Sequence, residues 1–335
     1  MPDITIKPVQ TNLTPNISPL PSNNEPSVRL TAATSNLSQS TTPSRSMNEA
    51  THSIQNLSAG DNNSAPQTVQ EHRSAVRDID FKSDFNQKLM TFSEKFDQFY
   101  SHTKDTGILK FVDKEGLIDK FFADGQLSSP PAHTTRESAA AYIESTKSLG
   151  FTSQNLPGQP IFALDGPGGE HFARHEVMHL LSAEGGMTNI ANTSTNLNEA
   201  ITEATTRIVE DVLGRNDDET ISARKNAYPA LTELILGVVN SDEKIMAGLF
   251  EGYIKDKGIN ELVEPMVDRW RERSDSGQIT KAAHKYPARG DQNKIMTKAF
   301  TDLAGNLGGA SSLEQASENF GTQNQINKMK NFIGF

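Results

Sequence analysis

Apolar residues are scattered through the first part of this chain and become periodic only from about position 81. Phe81, Phe85, Leu89, Phe92, Phe96 and Phe99 follow one another at steps of four, four, three, four and three. Such steps keep six large side chains on one helical face, and a stripe of this kind is a core-facing surface. A second helix is predicted over 113–123, burying Leu117, Ile118, Phe121 and Phe122. Thr134 and Glu137 form a capping-box pair ahead of a third helix that ends at Gly150. The pattern then changes. Gln159 to Asp165 (QPIFALD) is short, apolar and bounded by Pro160 and by Gly166-Pro167-Gly168-Gly169, which predicts a strand ending in a turn. Helical spacing resumes at once over 169–181 and again over 196–213, where Gly214 is placed to stop it. From Asp217 onward helix follows helix, with breaks expected at Pro229, Ser241, Gly258 and Ser274 to Gly277. Residues 305–324 turn rich in Gly, Ser and Asn before a last amphipathic turn. Trp270, the one tryptophan, follows Met266 at helical spacing and reads as core.

The aperiodic part has its own composition. Ser, Thr, Asn, Pro and Gln make up 42 of the first 70 residues, and no aromatic residue other than histidine precedes Phe81. Too little apolar surface is present there to offset the entropy of ordering, so residues 1–75 are expected to be disordered. Residues 76–335 are then expected to form one domain of the α+β class, mostly helical with a small sheet. It would comprise a helical lead-in over 76–150, a core over 159–214 and a helical part over 217–335.

Charge and cysteine usage narrow the chemistry. A formal charge of -10 argues against nucleic acid as a partner, because phosphate binding needs a basic face. No apolar run approaches the length of a membrane span, and the nearest candidate, Leu231 to Val239, carries Glu233. The first 30 residues lack a basic start followed by an apolar core, so no Sec-type signal peptide is expected. With no cysteine, any metal site must use His, Asp or Glu.

Against that background one pentapeptide stands out: His175-Glu176-Val177-Met178-His179, which spells H-E-x-x-H. On a helix, histidines four apart share a face, and their nitrogens can converge on a zinc ion. Glu176, one residue further round, can reach a water on the open side of the metal and take its proton during attack on a carbonyl. With eight histidines in the chain, a chance match is expected in about one such sequence per hundred, and two ligands are too few for catalytic zinc. The segment Asn198-Glu199-Ala200-Ile201-Thr202-Glu203 decides the matter. Glu199 lies 20 residues past His179, far enough for a second helix to return beside the first and supply the third ligand. Glu203, one turn further on the same face, can accept the N–H from the outer nitrogen of a ligating histidine, His175 first.

The set His175, Glu176, His179, Asn198, Glu199 and Glu203 resembles the gluzincin metallopeptidases of the thermolysin type. It departs from them only at Glu203, where that pattern carries Asp. The match covers about 30 residues of the chain. The resemblance implies a zincin-like core, one Zn2+ per chain held by His175, His179 and Glu199, Glu176 as general base, and peptide bonds as substrate. Zincins also set an edge strand beside the substrate backbone, so QPIFALD is expected either to accept a substrate strand or to be buried. They draw an oxyanion-stabilising residue from further downstream. His284 and Tyr286 are the candidates, with Tyr228 and Tyr253 as rivals. His171, four before His175, reads as a solvent-side residue at the helix start. The N-terminal composition resembles that of bacterial type III secreted effectors, implying export into a host-cell cytosol, a secretion chaperone on the N-terminal region and a host protein as substrate. The tail is too polar to fold as an inhibitory propeptide, which favours that version over an extracellular digestive enzyme. The alternatives are a zinc hydrolase acting on a bond other than a peptide, and a non-catalytic interaction protein built on the same fold.

Overall fold

A helix, α1 (Ser64–Arg77), opens the ordered architecture inside the segment whose composition predicts disorder. The computed structural model describes residues 64–123, 135–137, 140, 151–152, 161–166, 168–182, 195–225, 228–255, 257–278, 286, 288–307, 310 and 312–334. In α1, Val69, Arg73 and Val76 fall at steps of four and three and are all buried. Three inward positions, one of them an arginine stem, dock a helix that is otherwise polar. α1 runs across the expected boundary after residue 75, and residues 1–63 lie outside the described residues.

The aromatic stripe forms the helix it predicts, α2 (Phe85–Asp105), with Phe85, Leu89, Phe92, Phe96 and Phe99 all buried. Phe81 is buried too, but it sits in the turn before the helix, where its backbone N–H donates to Glu251 Oε1 at 2.9 Å. Next come β1 (Leu109–Val112), which no sequence signal marked, and α3 (Lys114–Ala123), whose Leu117 and Ile118 are buried as expected. The helix expected over 134–150 lies outside the described residues, apart from 135–137 and 140. Two further strands, β2 (Phe151–Thr152) and β3 (Ile161–Leu164), complete a sheet ordered β1-β3-β2. β1 runs parallel to β3 with Leu109 opposite Ile161, and β2 runs antiparallel with Phe151 opposite Phe162. β3 is thus the middle strand. β1 pairs along its whole length and β2 pairs with Ile161 and Phe162, and Ile161, Phe162 and Ala163 are all buried, which favours the buried-strand alternative for QPIFALD.

α4 (Gly169–Ser182) starts directly against the end of β3. A Cβ on Gly169 would collide with the Leu164 carbonyl oxygen, so only glycine lets the helix begin there. The remaining helices are α5 (Thr195–Val212), α6 (Asp218–Arg224), α7 (Pro229–Asn240), α8 (Glu243–Ile254), α9 (Asn260–Asp275), α10 (Arg289–Leu307), α11 (Leu313–Ser317) and α12 (Phe320–Ile333). Pro229 begins α7 rather than breaking a helix, since its missing N–H falls where no intrahelical bond would use it. The polar stretch 305–324 is more helical than its composition predicts. Ser312 and Asn319 there are N-caps, accepting from the N–H groups of Gln315 and of Gly321 and Thr322.

α5 lies in the middle of the assembly, packed against α2, α4, α7, α8 and α10. α8 and α9 pack closely, and a Cβ on Gly248 would collide with the Glu261 carbonyl oxygen. Trp270 of α9 is fully buried and stacks on Phe332 of α12 at 4.5 Å. Among the described residues no helix is long and apolar enough to cross a membrane, α7 included. The architecture is mostly helical with one small sheet, and the helices α4 and α5 bring the chain's unusual residues together.

Candidate metal centre

α4 buries nearly every side, because β3, α1, α5 and α6 all pack on it. Its apolar residues Ala173, Val177, Met178, Leu180 and Leu181 face those neighbours, and its histidines at 171, 175 and 179 line up toward α5 at steps of four. On α5 one face carries Leu197, Ala200, Ile201, Ala204 and Ile208 into the core, while Glu199, Glu203 and Glu210 turn to the histidines. Ascending α4 the partners descend α5, from Glu210 at His171 to Glu199 at His179, so the two helices run antiparallel.

His175 Nε2, His179 Nε2 and Glu199 Oε2 form a nearly equilateral triangle. The two nitrogens are 3.2 Å apart, and the carboxylate oxygen lies 3.2 Å from one and 3.3 Å from the other. Tetrahedral coordination with bonds of about 2.0–2.1 Å spaces its ligand atoms about 3.3–3.4 Å apart. The three residues thus form a group that could hold a metal ion. Proton placement agrees. His175 Nδ1 lies 3.0 Å from Glu203 Oε2 and donates to it, so Nε2, which shares a proton with Glu199 in the metal-free protein, is the nitrogen that a metal ion would take in exchange for that proton. His179 Nδ1 lies 3.3 Å from Thr202 Oγ1, which donates to the Asn198 carbonyl at 2.9 Å and stands 2.7 Å from the Tyr253 hydroxyl. Thr202 already donates to the Asn198 carbonyl, so its oxygen can accept from His179 Nδ1, the tautomer that turns the His179 Nε2 lone pair to the triangle.

The electrostatics follow from burial and these contacts. Burial would lower His175, but Glu199 and Glu203 on its two ring nitrogens outweigh it and push the imidazole up to about 10. Burial would raise the Glu199 carboxyl, yet His179 and His175 overcome it and hold it below the usual carboxylate range. Glu176 is different. Burial lifts its carboxyl above the ordinary value and the charge of Glu199 adds to this, against the pull of His179 and His175. A carboxylate with raised basicity close to the two histidines is suited to accept a proton from water.

The structure brings together His175, Glu176, His179, Glu199 and Glu203, all from one helix pair. Tyr253, one of the rivals for an oxyanion role, stands behind His179 through Thr202. Tyr286 is partly buried against the main core, with its carbonyl accepting from Gln292 at 2.6 Å, and His284 lies outside the described residues. His171 is a correction: it is fully buried between Glu203 and Glu210, not on the solvent side. Sequence reading also missed Glu210, Arg174, Arg207 and Arg224, which join that buried network. A signal was present, since Glu203 and Glu210 are seven apart, two turns on one face, opposite histidines at 171 and 175. No protein-family model, no curated protein and no solved structure matches this chain.

Proposed function

We propose that this chain is a zinc-dependent endopeptidase with a zincin-like core of the gluzincin type, exported by a bacterium and acting on a host protein. The observation that carries the reading is the triangle of His175 Nε2, His179 Nε2 and Glu199 Oε2 at 3.2–3.3 Å, with Glu176 beside it. Two imidazoles and one carboxylate, with a side left open, is the donor set of a catalytic zinc site. A zinc ion there supplies Lewis acidity, making bound water acidic and polarising a carbonyl. Everything else falls to the chain. Glu203 and Thr202 orient the rings of His175 and His179 so that Nε2 of each faces the triangle. Glu176 takes the proton from the attacking water onto its carboxylate and returns it to the leaving amine nitrogen as the peptide C–N bond breaks.

The test pairs metal content with cleavage. Wild type and Glu176→Ala are purified, zinc is quantified in each, and both are incubated with host-cell lysate while new protein termini are mapped. One zinc in each protein, with new termini only from wild type, is the expected result. Zinc in both with no new termini would replace the peptidase reading with a hydrolase of another bond. No zinc in either would overturn the site itself.

A further inference from the structure

The histidine that the metal triangle does not use is the most enclosed of the three. His171 has both ring nitrogens on carboxylates: Nε2 is 3.0 Å from Glu203 Oε1, and Nδ1 is 2.9 Å from Glu210 Oε2 and 3.1 Å from its Oε1. A neutral imidazole has one N–H and one lone pair, and a lone pair cannot face an ionised carboxylate at that distance. Each carboxylate also accepts from guanidinium groups, an arrangement that suits an anion. Arg207 Nε donates to Glu203 Oε1 at 2.6 Å, while Arg174 Nη1 and Arg224 Nε each donate to Glu210 at 3.1 Å. An imidazolium at His171 satisfies both contacts at once.

We propose that His171, as a buried imidazolium bridging Glu203 and Glu210, is a positioning residue for the metal centre. It holds Glu203 so that its other oxygen stays on His175 Nδ1. Glu203 is the hinge of the arrangement. Its Oε1 is occupied by His171 and Arg207, and its Oε2 is thereby left to His175 at 3.0 Å. Outer partners of ligating histidines fix the ring's orientation and commonly change metal affinity about 10–100-fold when removed. Without the imidazolium, Glu203 keeps one guanidinium partner, and its carboxylate is free to turn away from His175. The charged groups around His171 are Glu203, Glu210 and Arg207 on α5, Arg224 on α6, and Arg174 on its own helix, with Glu170 beyond Arg174. Burial acts to lower the His171 pKa, but Glu203 and Glu210 reverse it and leave it raised. This inference rests on the metal-site reading above and adds a residue outside the motif to it.

The experiment uses the full-length chain. Nitrogen NMR of metal-free wild type at neutral pH is expected to show His171 protonated on both ring nitrogens, and a single-proton tautomer there would overturn the proposal. Zinc affinity is then measured by chelator competition on folded wild type, His171→Gln, Glu203→Gln and the double variant. His171→Gln is expected to weaken zinc binding about tenfold, with no further loss when Glu203 is already Gln. Glu210→Gln, nearly isosteric, serves if His171→Gln does not fold. It loosens the imidazolium from its other side, and weaker zinc binding is again expected. Zinc affinity at the wild-type value in whichever of these variants folds would overturn the positioning role while leaving the metal site standing. Failure of wild type to bind zinc would instead sink the site, and the proposal with it.

Discussion

Two helix pairs in this molecule pack at the same depth with opposite chemistry. α8 and α9 carry buried apolar residues, Leu249, Phe250, Val263 and Met266 among them, and glycines at 248 and 252 let the backbones close. Between α4 and α5 the contact is made of His171, His175, His179, Glu203 and Glu210, each nearly or fully buried. The apolar pair gains by removing surface from water, at roughly 25 cal/mol per Å². The polar pair gains little net, because desolvating each charge offsets most of what its partner returns. A fold under selection for stability alone would not place a helix of buried histidines against a helix of buried glutamates. What the polar pair offers is three lone-pair donors fixed at metal spacing, so its stability should depend on a ligand in a way that the apolar pair's does not.

That contrast can be broken from the apolar side first. Phe250→Ala, which empties the aromatic cluster formed with Phe81, Phe85 and Phe92, is expected to cost about 3–5 kcal/mol in urea unfolding. Zinc bound per folded molecule should stay unchanged; a loss of zinc at equal folded fraction would show the two regions to be coupled. From the polar side, zinc at a hundredfold excess over its Kd is expected to stabilise wild type by about 2.7 kcal/mol. In Glu199→Gln, which keeps the size of the side chain but removes the anionic ligand, thermal melts should show no such shift.

A pH series sharpens the same contrast. His171 and His175 are raised above their ordinary values in the folded, metal-free protein, so the stability they contribute is complete below about pH 6.5 and is lost as pH rises through the folded values. Glu199 and Glu203 are lowered, so theirs is present above the ordinary carboxylate value and is lost as pH falls below it. Each proton taken up or released tilts stability by at most about 1.4 kcal/mol per pH unit. Unfolding midpoints should therefore fall on both sides of a maximum, and His171→Gln should flatten the alkaline limb. An alkaline limb unchanged by that substitution would remove His171 from the balance. The smallest effect is expected for Tyr253→Phe, which removes one hydroxyl from the pair behind His179 and should cost about 1 kcal/mol. Zinc affinity should drop by less than in Glu203→Gln, because a neutral hydroxyl supports His179 where a carboxylate supports His175.

The sequence by itself determined the elements whose information is local. The step pattern from Phe85 to Phe99 is a helix with those residues inside, and H-E-x-x-H with Glu199 and Glu203 puts the five candidate site residues on two helices. These follow from 3.6-residue periodicity, which a short stretch carries in full. The same holds for Gly214 after α5, which adopts φ 69°. Composition misled where a polar segment needs only a few inward residues or its own caps to be helical, as in α1 and around Ser312 and Asn319. Only the tertiary structure decided what depends on residues far apart in the chain. It made β3 the middle strand by pairing it with β1 and β2. It turned His171 inward because α5 returns beside α4 with Glu203 and Glu210 at matching heights. Periodicity states which residues share a face. Which face is met, and by whom, is settled only when the helices pack.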